Sequence, residues 1–237
     1  DGIVHSFLLT LAGHTIARKE EVPDISAQFF PVFSETAEFP ALVFPNLPLG
    51  PTYRRVTHRI LNRSFWEASR ILYARLRRAS PHLPRLAGWP FGGDDHQSSP
   101  ILYAFSRHVV PAASDRPDDA HVTGYWFLED AVDWEPPKEL TRFLETGSPP
   151  VCVAFGSTVT ADRERLSLTA LEALRLTGHR GVIVGKAPQA QHLPPEVLQV
   201  DCAPYEWLFP RMAAVIHHGG AGTTGKALGA GVPSVVM

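Results

Sequence analysis

The sequence has little sulfur, no long apolar run and no excess of charge, and each shortage excludes a class of protein. With only Cys152 and Cys202 in 237 residues it is no disulfide-built scaffold. Both cysteines stand in apolar runs and are expected to be small buried hydrophobes in a reducing compartment. No run approaches the roughly 20 apolar residues of a bilayer span, and no basic-then-apolar leader opens the chain. A formal net charge of -2 removes the whole-chain basic character of a general nucleic-acid binder, so any function of charge must be local. The expectation is a cytoplasmic globular protein whose 44% hydrophobic content suffices for one large or two modest domains. The chain opens on Asp1 rather than methionine and stops in the strand-like run Val235-Val236-Met237, which reads as part of something longer.

What is present changes character along the chain. Residues 1 to 50 alternate short apolar runs with proline-rich turns, such as FFPVF and EFPALVFPNLPLGP, a pattern that suits buried strands and binding loops. From Pro51 a basic amphipathic helix or helix pair is expected, with eight arginines between Tyr53 and Ala79 against the single acid Glu67. ILYAFS and HVTGYWF read as strands, and a short helix is expected after Pro137. Beyond Pro150 the rhythm becomes regular: VCVAFGS, HRGVIVG, LQVDCA, AAVIHH and PSVVM read as strands, with a helix from about Asp162 to Leu176 and another after the glycines of GGAGTTG. Continuous Val/Ile runs joined by helices predict parallel strands buried on both faces, hence a doubly wound α/β sheet.

The glycine loop fits two phosphate motifs incompletely. Gly220, Gly222 and Gly225 satisfy GxGxxG, and Gly220 to Lys226 spells GxxxxGK. The triphosphate loop needs a hydroxyl after its lysine to hold magnesium, and Ala227 stands there. The dinucleotide fingerprint needs an acidic residue about 20 positions on, and none comes after Gly225 in this chain. A strand running straight into glycines and a helix start still offers main-chain N–H groups and partial positive charge to an anion. His217 and His218 sit just before it, and imidazole is suited to stabilising a departing diphosphate. The plain alternative is a tight strand-to-helix turn without a ligand.

The stretch APYEWLFPRMAAVIHHGGAGTTGKALGAGVPSVV resembles the donor-binding segment of family 1 glycosyltransferases, in particular the sterol and macrolide or lipid glucosyltransferase branch. GHTIARKEEVP, FFPVFSETAEFP, PILYAFSRHVVPAASDRPDDAHVTGYWFL and WEPPKELTRFLETGSPPVCVAFGS are similar to further landmarks of that family, in family order. The resemblance implies the GT-B architecture, two Rossmann-like doubly wound parallel-sheet domains facing across a cleft, both incomplete in this chain. It divides the chain into a partial acceptor-binding domain (1–128), a linker with its first helix (129–150) and a partial donor-binding domain (151–237). It implies inverting transfer of a hexose, glucose being the sugar expected in that branch, from a UDP-sugar to a hydroxyl of a sterol, lipid, macrolide or phenol. No metal or resident cofactor is implied; the UDP-sugar is a co-substrate.

Carried over position by position, His218 matches the histidine that meets the diphosphate, with His217 and Gly219 beside it. Gly220, Ala221, Gly222, Thr223 and Thr224 match the positions that wrap the diphosphate; Gly156, Ser157 and Thr158 match the strand-end turn facing the same phosphates. Ala203 and Tyr205 match the backbone that recognises uracil. Lys226 stands where plant relatives carry a ribose-binding glutamate, and Lys186 where a Gly-Trp pair is usual. The family's general base and its sugar-gripping Asp-Gln pair would lie before Asp1 and after Met237, so no catalytic residue is assigned and this chain alone is expected to be nearly inactive.

Other features have competing readings. Phe29, Phe30, Phe33, Phe39 and Phe44 line the expected acceptor pocket or simply pack in a core. Trp207 is expected in the core, Asp115, Asp118 and Asp119 in a solvated turn, and His5, His14, His58, His82, His96 and His108 as scattered structural singles. The arginine-rich helix, Arg54 to Arg78, is either a solvated face or a peripheral membrane contact. Two rivals to the transferase remain: a nucleotide-sugar epimerase of the same fold, and a non-catalytic UDP-binding module.

Overall fold

The computed structural model describes residues 1–91, 98–111, 113–128, 134–155, 163–185 and 193–237. They form two compact units, Asp1–Trp126 and Phe127–Met237. The first unit carries a four-stranded sheet of β1 (Ile3–His5), β2 (Asp24–Gln28), β3 (Ile101–Tyr103) and β4 (Ala120–Val122), all parallel and in chain order. Helix α1 (Thr10–Lys19) joins β1 to β2, and α2 (Gly50–Ala79) lies between β2 and β3. The arginine-rich segment is thus one 30-residue helix rather than a pair.

β2 reads DISAQ, and a strand this polar has no apolar signature. Its buried polar groups pair in part: Gln28 Nε2–H donates to Ser26 Oγ at 2.7 Å and to Thr10 Oγ1 at 3.4 Å, all three residues being buried, while Gln28 Oε1 has no hydrogen-bond partner among the described residues. At its start Asp24 Oδ2 accepts three hydrogen bonds, from His5 Nε2 at 2.8 Å, His14 Nδ1 at 3.0 Å and Ser99 Oγ at 2.5 Å. Burial by itself raises the Asp24 pKa, but the hydrogen bonds from His14, His5 and Ser99 outweigh it and hold the carboxyl well below the usual range. His5 and His14 are therefore partners in one buried network and not scattered singles. Gly13 makes room for it: a Cβ there would lie 2.6 Å from His5 Cβ, an atom that cannot move without its backbone. A second cluster packs Phe33, Phe91, Tyr103 and Phe105 around Ile101.

Between β2 and α2 the expected strands are absent. Pro31, Pro40, Pro45 and Pro48 remove ladder donors, and Phe33 and Val43 both adopt φ of 69°. Asp115 stands in an exposed turn, as expected, and from there it also fastens this irregular segment. Its carboxylate accepts from Thr36 Oγ1, Ala37 N–H and Arg55, and these bonds, Thr36 foremost, lower its pKa to about 2.

The second unit holds β5 (Val151–Ala154), β6 (Gly181–Val184), β7 (Val197–Val200), β8 (Ala214–His217) and β9 (Ser234–Val236), all parallel, in the order β7-β6-β5-β8-β9. α3 (Lys138–Glu145) precedes β5 and places Leu140, wholly buried, against Val182 and Val215. α4 (Arg163–Thr177) leads to β6, the four-residue α5 (Tyr205–Leu208) comes after β7, and α6 (Ala221–Gly229) joins β8 to β9. Cys152 is buried in β5, and burial pushes its thiol up to about 12. Cys202 corrects the expectation: it lies just past β7 and is exposed, because the apolar run ends where the strand does.

Candidate functional site

The strand order places the site. β5 is the first strand of its sheet; β6 and β7 extend to one side of it, β8 and β9 to the other. The direction of winding reverses between β5 and β8, and in open parallel sheets the crevice beyond the carboxyl ends of such a pair is where ligands bind. The register sets Ala154, the last residue of β5, opposite His217, the last of β8. At that point the chain leaves β8 through His218 and enters the glycines.

The turn is made by Gly219 at φ 78°, a conformation that disfavours a side chain, and Gly220 then caps α6. The first intrahelical bond of α6 is Thr224 N–H to Gly220 C=O at 2.9 Å, so the amides of Ala221, Gly222 and Thr223 precede the helical ladder. Gly220, as the cap residue, has no side chain of its own to close this end. The N-terminus of α6 therefore presents main-chain donors and the positive end of the helix dipole beside the switch point. A Cβ on Gly222 would meet nothing within 4 Å, so the helix face there is open.

The two histidines occupy different positions. His217 is fully buried, and its Nδ1 accepts from Gly219 N–H at 3.1 Å, which pins the turn. Burial first, and the neighbouring His218 second, lower its pKa, so it is a neutral imidazole with its proton on Nε2. That Nε2 has no hydrogen-bond partner among the described residues. His218 is half-buried and folds over Gly220: a Cβ on Gly220 would lie 2.4 Å from His218 Nε2. The missing side chain at Gly220 is what lets this imidazole lie beside the helix start.

Around this core, Thr223 is buried and Thr224 half-buried. Ala203 and Tyr205 lie past the end of β7, partly buried against the central cluster, with Tyr205 stacked on Phe209 at 4.4 Å between ring centroids. Trp207 packs against the same cluster, edge-on to Trp134 and under the Arg211 guanidinium. Lys226 forms an ion pair with Glu206 that ties α6 to α5, a pairing across 20 residues with no local signal in the sequence. Gly156, Ser157, Thr158 and Lys186 lie outside the described residues.

The five phenylalanines of the expected acceptor pocket do not converge. Phe33 lines a cavity of about 630 Å³ in the first unit, together with Trp66, Trp89, Phe91, Glu35 and Arg59. Phe30 packs edge-on against Phe7, Phe29 is half exposed against Trp126, Phe39 lies by His58, and Phe44 is half-buried in the loop before α2. The aromatics that join Phe33 at the cavity, Trp66, Trp89 and Phe91, were not singled out from sequence, because they come from α2 and from the segment after it.

Comparison with known proteins adds relatives to this geometry. Residues 179–237 match the family described as erythromycin biosynthesis protein CIII-like, C-terminal domain. The chain is 33% identical over 241 residues to the sterol 3-beta-glucosyltransferase of Aspergillus clavatus and 34% identical over 245 residues to that of Yarrowia lipolytica. Both alignments cover 95% of this chain, which spans 17% and 16% of the length of those curated relatives. In structure it is similar to the glycotransferase of kitacinnamycin, with a TM-score of 0.62 at 20% identity over 100% of this chain and 57% of that one. It is also similar to UGT2 of Phytolacca americana, solved with UDP-2-fluoro-glucose and pterostilbene, with a TM-score of 0.60 at 16% identity over 99% and 56% of the two chains. The fold is that of GT-B glycosyltransferases, of which the two parallel sheets make up about half.

Proposed function

Proceeding from a chain of GT-B fold, related in sequence to family 1 glycosyltransferases of the sterol 3-beta-glucosyltransferase type, we propose that the protein is an inverting hexosyltransferase. It moves a hexose, glucose in the first instance, from a UDP-sugar to a hydroxyl of an apolar acceptor such as a sterol, lipid, macrolide or phenol. The observation that carries this reading is the convergence of His218, the glycine turn and the open N-terminus of α6 at the β5/β8 switch point.

In the transfer the acceptor oxygen bonds to the anomeric carbon while the bond from that carbon to the phosphate oxygen breaks. The hydroxyl proton passes to a base, and negative charge collects on the leaving diphosphate. This chain's residues act on the leaving group: the amides of Ala221, Gly222 and Thr223 and the imidazole of His218 stabilise the departing charge. Those donors do what a bound cation does elsewhere, so the reading needs no metal. Ala203 and Tyr205 hold the uracil. The cavity walled by the aromatic Phe33, Trp66, Trp89 and Phe91, and rimmed by the charged Glu35, Arg59, Arg63 and Asp119, is of a size suited to a small acceptor that carries both apolar surface and a hydroxyl. A peripheral contact with the membrane in which such acceptors dissolve belongs to the same reading.

Calorimetric titration of this chain with uridine, UMP and UDP tests the assignment. If main-chain donors and His218 grip a diphosphate, affinity rises at each step, by about tenfold or more from UMP to UDP, as expected for charge-assisted hydrogen bonds. Equal affinities for the three would remove the diphosphate site and the transferase reading with it.

A further inference from the structure

The eight arginines of α2 are not equivalent. Arg55 pairs with Asp115, Arg59 with Glu35, and Arg63 and Arg70 flank Glu67. Arg54 donates to Ala37 C=O. Those side chains are engaged in the unit's own structure. The last turns differ: Arg75 and Arg78 make no ion pair among the described residues, and Arg77, although it donates to Leu83 C=O at 3.1 Å, stays exposed. From residue 68 to residue 93 the sequence holds five arginines and no acidic residue.

The same turns expose apolar side chains. Ile71 is 54% exposed, Leu72 56% and Leu76 49%, while Tyr73 between them is buried. Three large aliphatic groups standing in water beside these arginines is an unstable arrangement for a surface that stays wet, since each would gain by burial. A nucleic-acid surface would use the arginines and leave the aliphatic groups in water. An anionic lipid surface takes both: the aliphatic groups enter the boundary between headgroups and acyl chains, and the guanidinium groups remain among the phosphates.

We propose that the C-terminal third of α2, from Ile71 to Arg78, docks on an anionic lipid membrane. The proposal sharpens the membrane contact that accompanies the transferase reading by assigning it to one end of the helix, and it stands on α2 whether or not that reading holds.

Cosedimentation of this chain with phosphatidylcholine vesicles, with and without about 30 mol% phosphatidylserine to set a clearly negative surface potential, provides the test. Binding is expected on the anionic vesicles only and is expected to fade as salt rises. Arg75→Gln with Arg78→Gln should lower the partition coefficient about 25-fold, roughly fivefold for each arginine. Leu72→Ser with Leu76→Ser should lower it about tenfold or more. Arg107→Gln, an exposed arginine outside α2, should leave it unchanged. Circular dichroism on each variant separates loss of binding from loss of fold. Absence of binding by the folded wild type, or equal binding by the wild type and the arginine pair variant, would overturn the proposal, as would tight binding to RNA that the vesicles fail to displace. UDP titration of the same preparations reports separately on the donor site, so failure at the membrane and failure of the transferase reading give different results.

Discussion

Replacing Gly220 by alanine is expected to weaken UDP binding about tenfold or more while leaving the melting temperature almost unchanged. Gly220 has φ of -59° and ψ of 138°, which alanine adopts without strain, so the backbone has no reason to object. The added methyl would lie 2.4 Å from His218 Nε2 and 3.0 Å from Cε1, and the imidazole must swing away. What is lost is the position of a ring, and the loss should match that of His218→Ala. The two changes should also fail to add: if Gly220 matters because it accommodates His218, the double variant binds UDP as weakly as either single one. Additive losses would mean that the two residues act on the ligand independently, and the role assigned to Gly220 would be wrong.

The second large effect concerns the stability of the first unit. Asp24→Asn is expected to cost about 3 kcal/mol, in the range for breaking a buried charged partnership. The Asp24 side chain is 8% exposed and serves His5, His14 and Ser99 at once, and a neutral amide cannot accept from all three with comparable strength. The pH dependence comes from the lowered carboxyl pKa. A group whose folded pKa lies below its unfolded one contributes stability that is fully present above the unfolded value, about 4, and is lost as the pH falls toward the folded one. Chemical denaturation of the wild type should therefore show stability declining below about pH 4. In the Asn variant this part of the decline should be missing. Parallel declines in the two proteins would show that the Asp24 network is not what acid disrupts.

The second unit of this protein was more legible in its sequence than the first. VCVA, GVIV and AVIH are strands buried on both faces, and burial of that kind leaves continuous Val/Ile runs that can be recognised without partners. The glycine turn and a helix after it were equally readable: Gly219 takes φ of 78°, which favours glycine, and the helix expected after the glycines begins slightly earlier, at Ala221. α1 was not seen, because its buried face is made of Thr10, His14 and Thr15 as well as Leu11 and Ala17, and a face so polar shows no helical period of hydrophobicity. β2 was missed for the same reason. The partners that make those residues buriable, Asp24 for His14 and Ser99 for Asp24, are 10 and 75 positions away. Such pairings are a property of the folded chain and leave no local signal. The different destinations of the α2 arginines were hidden likewise: their acids, Glu35 and Asp115, come from elsewhere in the chain.

The account depends on an anion being held where β8 gives way to α6. Soaking crystals of this chain in uridine diphosphate tests it most directly. The account predicts density for the pyrophosphate within about 3 Å of the Ala221, Gly222 and Thr223 amides, with His218 in contact with it. An empty crevice at saturating ligand, or a nucleotide bound elsewhere on the unit, would contradict it.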